Sequence, residues 1–279
     1  MRPRKFSIVT PCFNARQFLP ETIASVLQQT SVLRGECELQ YVIVDGGSSD
    51  GTQEYLASLA DPRICWVSEK DRGMYDALVK GFSRANGEVM AYINAGDAYF
   101  PWAFDVVASC FEDPSVEWLT GLAVLRNEQG QVFQVERARH YWSRLIRRGA
   151  YGPHLPFIQQ ESTFWRAELW QDVDVARLRE LKLAGDYFLW VSLARQSQLF
   201  AVNSALAAFS LQPGQLSESK ERYFSEMQQV CPASPNWVDK AWIQADKLLA
   251  MLPNAAGRAL GYDNAIRYDL ASKSWKRAG

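Results

Sequence analysis

Short apolar runs rich in β-branched residues alternate with stretches of helical periodicity through the first hundred residues, and this restricts the possible folds more than any other feature. The runs are Phe6 to Val9, Leu39 to Val44, Ile64 to Val67 and Val89 to Ile93. Between the first two, Leu19, Ile23, Val26 and Leu27 recur at i, i+4, i+7 and i+8, which lines one face of a helix. Tyr55, Leu56 and Leu59 repeat the pattern after the second run. Strand and helix in alternation build βαβ units and a mostly parallel sheet. The unbroken apolarity of Leu39 to Val44 predicts a strand covered on both faces. In open parallel sheets, ligands gather beyond the carboxyl ends of the strands. Here those ends carry Thr10 to Asn14, Asp45 to Thr52, Glu69 to Tyr75 and Asn94 to Asp97, so polar loops are expected to meet at one crevice.

The chain has 279 residues, 48% of them hydrophobic and 22% charged, enough for one large α/β domain with an appendage. A formal net charge of -1 gives no global attraction to nucleic acid, so any anion site must be local. The five cysteines are scattered without a C-x-x-C pair, which argues against zinc or redox chemistry. Met1 to Lys5 leads directly into a strand-like run, and no stretch approaches the roughly 20 apolar residues that span a bilayer. The expected location is the cytoplasm, at most at the inner face of the membrane.

Beyond Tyr99 the pattern loosens. Trp118 to Val124 and Gln131 to Val135 flank Asn127-Glu128-Gln129-Gly130 and read as a hairpin. A helix is expected to start near Asp186. A composition shift at Gln212-Pro213-Gly214 precedes helical stretches at Ser217 to Val230 and Trp237 to Met251. The expected organisation is a domain over 1–215, with a nucleotide-binding half at 1–100 and an acceptor half at 101–215. A C-terminal helical extension would occupy 216–279.

The sharpest local signal is Val42-Ile43-Val44-Asp45-Gly46-Gly47-Ser48-Ser49-Asp50-Gly51-Thr52, a strand that ends in a carboxylate followed by a glycine-rich turn. Glycines allow close backbone approach, and Asp45 could accept hydrogen bonds from a base or ribose; an ordinary capped turn would look similar. Taken with Thr10-Pro11-Cys12-Phe13-Asn14 and Glu69-Lys70-Asp71-Arg72-Gly73-Met74-Tyr75-Asp76-Ala77, in this order and spacing, the segment resembles glycosyltransferase family 2. That resemblance covers most of residues 6 to 215. It implies a GT-A fold, a Rossmann-like α/β architecture that performs inverting transfer from a nucleoside-diphosphate sugar with a divalent cation, Mg or Mn. It also implies that Pro11 and Asn14 line the nucleotide cleft, that Asp45 contacts the base, and that Asp71 with Arg72 lies beside base and ribose. Asn94 joins the same donor set. On this reading Asp45→Ala abolishes donor binding and leaves the melting curve nearly unchanged. Tyr75, Leu78, Val79 and Phe82 fall at helical spacing, so Tyr75 is expected in the core, and Asp76 is left without a role.

Where the family usually carries several acids, this chain has Tyr92-Ile93-Asn94-Ala95-Gly96-Asp97, so Asp97 is the carboxylate aligned with the metal-binding position. One carboxylate can suffice for Mg²⁺ when phosphate oxygens and water complete the shell. A structural alternative makes Asp97 a helix cap before Pro101. Lys182-Leu183-Ala184-Gly185-Asp186 resembles the family segment that holds the base for the acceptor hydroxyl, and Asp186 is assigned that role. An alcohol is a far weaker acid than a carboxylic acid, so proton transfer must accompany bond formation. Capping a helix is compatible with that role. Gln160 and Glu161 align with a segment near the acceptor cleft, although a plain strand with Phe164 inside would look the same, and Glu161 could compete with Asp186 as base.

Arg137, Arg139, Arg144, Arg147 and Arg148, interleaved with Tyr141, Trp142, Leu145 and Ile146, form a basic and aromatic segment. It suits a peripheral membrane contact or the diphosphate of a lipid-linked acceptor, and equally a solvated helix face. His140 and His154 are too few for a histidine metal site. The functional expectation is sugar transfer to a hydroxyl of a glycan or lipid-linked glycan acceptor, as in bacterial surface polysaccharide synthesis. A non-catalytic nucleotide-sugar binder and a nucleotidyltransferase are the competing readings.

Overall fold

The computed structural model describes residues 4–211, 219–231, 235–252, 256 and 265–277. The elements in chain order are β1 (Arg4–Cys12), α1 (Leu19–Leu27), α2 (Thr30–Leu33), β2 (Cys37–Asp45), α3 (Thr52–Ser58), β3 (Ile64–Ser68), α4 (Met74–Phe82) and β4 (Val89–Tyr92). There follow β5 (Ala98–Tyr99), α5 (Ala103–Cys110), β6 (Trp118–Thr120), β7 (Val124–Arg126), β8 (Val132–Val135), α6 (Ser143–Arg147) and β9 (Thr163–Arg166). The remainder are α7 (Val175–Leu178), α8 (Gly185–Leu193), β10 (Leu199–Ala201), β11 (Ala207–Ser210), α9 (Lys220–Val230), α10 (Trp237–Ala250), β12 (Ile266–Asp269) and β13 (Ser274–Arg277).

The expected α/β architecture is present. A seven-stranded sheet has the order β10-β6-β9-β4-β1-β2-β3, parallel except for β9, which runs antiparallel to both neighbours. Successive side chains of a strand point to opposite faces, and the two halves of the core follow from that. Phe6, Ile8, Tyr41 and Ile43 face the layer containing Leu19, Ile23, Val26 and Phe104. Val9, Val42 and Val44 face the layer containing Tyr75, Leu78, Phe82, Leu189 and Trp190. Each fully buried aliphatic or aromatic side chain contributes about 1.5–3 kcal/mol, so the covered faces of β1 and β2 anchor the domain.

Register fixes where the site lies. Cys12 of β1 pairs with Asp45 of β2, and Asp45 pairs with Ser68 of β3, so three strands end level with one another. β4 is aligned through Val9 and Tyr92, and Ile93 N–H continues the ladder to the Val9 carbonyl. The loops after these strands therefore leave from one edge, as the order of elements requires.

Two expectations change. Trp118 to Val124 is not one hairpin arm: Trp118–Thr120 is β6 in the large sheet, whereas β7 pairs with β8 and β11 in a four-stranded sheet with β5. The split is made by hydrogen bonds from Gly121 N–H to the Ser162 carbonyl and from Leu122 N–H to the Ser204 carbonyl, which turn the chain between the sheets. The C-terminal extension is not wholly helical: after α9 and α10 it ends in the antiparallel β12–β13 hairpin. Ile266 bridges to Val202 beside β10, and Arg277 stacks over the Phe200 ring at 4.7 Å, so the hairpin is tied to the main domain. The composition shift at Gln212-Pro213-Gly214 and the first residues of the Ser217 stretch lie outside the described residues.

Candidate active site

The loops after β1 and β2 are laced together by side chains. Asn14 has a left-handed backbone with φ 48°, which asparagine tolerates better than most residues, and its Oδ1 accepts a hydrogen bond from Ser49 N–H at 3.0 Å. Asn14 N–H in turn donates to Ser48 Oγ at 2.7 Å, and Gly46 N–H donates to the Cys12 carbonyl at 2.9 Å. Pro11 is buried in β1, so it supports the cleft from below. Phe13 stands 64% exposed at the mouth. A Cβ added to Gly46 would meet the Phe13 ring at 3.3 Å and Asp71 Oδ2 at 2.7 Å, so this glycine is what allows Asp71 to close over the turn.

Asp45 is fully buried. Its Oδ2 accepts hydrogen bonds from Gly47 N–H at 3.2 Å, Ser48 N–H at 3.0 Å and Ser68 Oγ at 2.6 Å, and Oδ1 accepts from Ser48 Oγ. Those donors make Asp45 the keystone of the glycine-rich turn. The expectation that Asp45→Ala leaves the melting curve unchanged is therefore corrected: each buried donor left without an acceptor costs about 1–3 kcal/mol. Asp71, partly exposed, accepts from Gly73 N–H at 2.8 Å and lies with Phe13 against Gly46. The Arg72 side chain is 62% exposed, and its backbone is anchored by Asp76 Oδ2 at 3.1 Å. Asp76, left open by the sequence, is buried among Arg72, Lys80 and Arg179 at 3.5–3.8 Å and organises that corner.

The β4 loop holds the second group. Asp97 is 2% exposed and does not cap α5, whose N-cap is Trp102; its Oδ1 accepts from Ser210 N–H at 2.9 Å. Thr22 of α1 clamps the same loop, donating to the Asp97 carbonyl at 2.8 Å and accepting from Gly96 N–H at 2.9 Å. Arg126, which the sequence did not single out, donates to the Gly96 carbonyl at 2.7 Å and to Ser210 Oγ at 2.6 Å. Asn94 donates through Nδ2 to Gln160 Oε1 at 2.9 Å, and Gln160 donates to the Tyr92 carbonyl at 2.6 Å.

Because β9 runs antiparallel beside β4, the turn at Gln160 and Glu161 lies against the Asn94–Asp97 loop. Glu161 is 1% exposed. Burial and then the charge of Asp97 push its carboxyl well above the usual range. Burial also raises Asp97, against the opposing pull of Ser210 N–H and Arg126. Glu161 is sealed beside Asp97, whereas Asp186 keeps part of its surface exposed.

The site's fit to a divalent cation can be tested on its donors. Asn94 Oδ1 and Glu161 Oε1 are buried without a hydrogen-bond partner, and two neighbouring buried carboxylates repel when both are ionised. Hard oxygen donors and excess negative charge are what Mg²⁺ or Mn²⁺ prefers. No group of three or more His, Cys, Asp or Glu residues with metal-binding geometry occurs among the described residues. Asp97, Glu161 and Asn94 thus offer the hard oxygen donors that a divalent cation takes.

Asp186 lies in the first turn of α8, whose N-cap is Ala184. It is half-buried, and its Oδ1 accepts from Tyr187 N–H at 2.7 Å and from the Tyr223 hydroxyl at 3.0 Å. Burial raises its carboxyl to about 6 even though these hydrogen bonds favour the ionised form. The Tyr75 ring packs where a Cβ on Gly185 would lie at 2.5 Å, and its hydroxyl donates to the Leu183 carbonyl at 2.8 Å. The buried Tyr92 hydroxyl is pushed upward first by burial, then by Tyr75, Asp186, Glu161 and Asp97. Lys182 Nζ donates to the Arg72 carbonyl, which ties the turn before Asp186 to the loop after β3.

A family model described as glycosyl transferase family 2 matches residues 7–164. The chain belongs to glycosyltransferase family 2. An uncharacterised glycosyltransferase of Mycobacterium tuberculosis is 32% identical over 106 residues, 38% of each chain. A PGL/p-HBAD biosynthesis glycosyltransferase of Mycobacterium bovis is 34% identical over 99 residues, 34% of this chain and 36% of the relative. The matched stretch thus spans little more than a third of these relatives. Among solved structures, S. aureus TarS 1-349 in complex with UDP-GlcNAc superposes with a TM-score of 0.61 at 17% identity, covering 91% of this chain and 69% of that one. A Pyrobaculum calidifontis mannosyltransferase in complex with GDP-Man and Mn²⁺ gives 0.59 at 17% identity, covering 94% and 75%. The shared arrangement is the GT-A fold. The family 2 model ends before Asp186 and α9, so their placement rests on the geometry given above.

In the basic segment Arg137, Arg144 and Arg147 are exposed, while Arg139, Arg144 and Arg148 reach acids of α10. Arg144 Nε pairs with Asp239 at 2.6 Å, Arg148 with Asp239 at 3.7 Å and Arg139 with Asp246 at 3.6 Å, while Trp142 Nε1 donates to Asp246 at 3.0 Å. Both acids belong to α10, which the sequence reading did not connect with this segment.

Proposed function

We propose that this chain transfers a sugar, with inversion, from a nucleoside-diphosphate donor to a hydroxyl of a glycan or lipid-linked glycan. The observation that supports the reading is that β1, β2 and β3 end level with one another, with the Asn94–Gln160 contact at the end of β4 and the Asp186 turn tied to the Arg72 loop through Lys182. The base of the donor packs on Phe13 and is edged by Asp71, with Asn14 and Asp45 holding the turn that receives it; Arg72 reaches the ribose or diphosphate. Asp97, with Glu161 and Asn94 beside it, would hold a divalent cation, and a cation bound there would supply charge neutralisation for the leaving diphosphate. Asp186 takes the acceptor proton as the new bond forms, a contribution of about 10²- to 10⁴-fold. Bound nucleotide sugars in the GT-A neighbours support the donor class.

A membrane-bound acceptor is favoured by α10 rather than by the arginine segment. Its outward face presents Trp237, Leu248 and Met251, 80%, 67% and 80% exposed, flanked by the exposed Lys240 and Lys247. Its acids Asp239 and Asp246 are buried and neutralised by arginines, so the face is apolar and cationic, which suits an anionic lipid surface. No helix among the described residues is long and apolar enough to cross a membrane.

The test is a thermal-shift screen of nucleotide sugars with Mn²⁺, followed by transfer of labelled sugar to a lipid extract. A donor that binds the folded state raises the melting temperature. Donor binding without transfer to any acceptor, water included, would leave a sugar-nucleotide binder in place of the enzyme. For α10, sedimentation with phosphatidylglycerol vesicles but not with neutral phosphatidylcholine vesicles is expected, and Trp237→Glu should abolish it.

A further inference from the structure

The helix α9 lies beyond both the stretch matched by the family and the main domain, yet it reaches the reacting group. Tyr223 and Glu226 are three residues apart and share one helix face. The Tyr223 hydroxyl donates to Asp186 Oδ1 at 3.0 Å. Glu226 accepts three successive backbone N–H groups of the turn that leads into α8: Lys182 at 2.8 Å through Oε1, and Leu183 and Ala184 at 2.6 Å each through Oε2. N–H groups at the start of a helix have no intrahelical acceptor, so a carboxylate there both satisfies them and suits the helix dipole.

The opposite side of the turn is held by α4, whose Tyr75 hydroxyl donates to the Leu183 carbonyl. Lys182 Nζ also donates to the Arg72 carbonyl, which ties the turn to the donor loop. α9 is itself docked through Met227, 2% exposed, and through Tyr223 and Phe224, whose rings contact Phe157 at 5.6 and 6.1 Å.

We propose that α9 is part of the catalytic apparatus: Tyr223 is a positioning residue that orients the Asp186 carboxylate through Oδ1, so that Oδ2 receives the acceptor proton, and Glu226 fixes the turn on which Asp186 stands. The proposal rests on Asp186 as the base. The groups facing Asp186 are Tyr75 from α4, Tyr92 from β4, Tyr187 from α8, and Tyr223 with Glu226 from α9. Among these, Tyr223 donates a side-chain hydrogen bond that stabilises the ionised form, so its removal raises the pH needed for activity.

The experiment measures release of nucleoside diphosphate from UDP-GlcNAc or GDP-mannose, whichever raises the melting temperature with Mn²⁺, using water and a lipid extract as acceptors. Tyr223→Phe should lower kcat about tenfold, as expected for a hydrogen bond to a charged group. It should move the acid limb of the kcat profile upward by about half to one pH unit, with donor KM unchanged. An isotope-edited NMR titration of the aspartate side-chain carbons, assigned with Asp186→Asn, should show the same shift without turnover. Glu226→Gln, which keeps an acceptor oxygen, should retain most activity that Glu226→Ala loses. In an Asp186→Asn background, Tyr223→Phe should add no further loss. Wild-type kcat, pH limb and aspartate titration in Tyr223→Phe would overturn the proposal while leaving Asp186 as base. Full activity of Asp186→Asn would instead remove the base assignment itself.

Discussion

Gly185→Ala isolates the placement of the proposed base from its chemistry, because the added methyl group meets the Tyr75 ring and alters no charged or hydrogen-bonding group. A Cβ at this position would lie 2.5 Å from two Tyr75 ring carbons and 2.7 Å from a third. Carbon contacts settle at about 3.5–4.0 Å, so roughly 1 Å must open between α4 and the first turn of α8. Tyr75 is 2% exposed and its hydroxyl is held by the Leu183 carbonyl, so the helix turn carrying Asp186 has to give way. Overpacking of this kind costs about 1–3 kcal/mol, and the better helix propensity of alanine returns up to about 1 kcal/mol, so the net loss is about 0–3 kcal/mol. A 1 Å misplacement of a catalytic group costs on the order of 10²-fold in rate. The assay is diphosphate release at saturating donor, with thermal unfolding and donor calorimetry as controls. A variant that folds, binds donor as the wild type does and turns over within about twofold of it would refute the reasoning.

The remaining predictions concern protons and metal. In the proposed role Asp186 acts ionised, and burial raises its carboxyl to about 6, so kcat should fall as pH drops through that value and level off above it, read from a profile of initial rates; a rate independent of pH in this range contradicts the role. Asp97 and Glu161 are raised by burial, so their protonated forms favour the folded state, and stability should decline as pH rises through their folded values. Mn²⁺ with nucleoside diphosphate should therefore raise the melting temperature more at about pH 8 than at about pH 5, and Asp97→Asn should flatten the decline that runs up to about pH 7 and abolish the metal effect. An unaltered metal response in Asp97→Asn would place the cation elsewhere.

What the sequence disclosed follows from periodicity. β1 to β4 and α1, α3 and α4 were legible because a covered parallel strand is apolar throughout and a surface helix shows one apolar stripe. The loops after them could be read as one crevice for the same reason. Long-range pairing was not legible: nothing local indicates that β9 inserts antiparallel beside β4, and only that insertion brings Glu161 to Asp97. Asp45 likewise looks in sequence like an exposed acceptor, since Ser68, the donor that completes its shell, lies 23 residues away. The arginine segment resembled a membrane patch because its partners, Asp239 and Asp246, lie about a hundred residues downstream. Tyr223 and Glu226 carried a weak signal, two polar groups on one face of a helix otherwise docked by Met227, but their targets at Asp186 and the turn before it appear only in three dimensions.

Asp186→Asn, assayed for both turnover and donor affinity, tests the central claim most directly, because it removes the base while keeping shape and most hydrogen bonds. The expected result is a fall in kcat of about 10²-fold or more with the donor Kd unchanged. Undiminished turnover, or a loss of donor affinity that accounts for the whole effect, would contradict it.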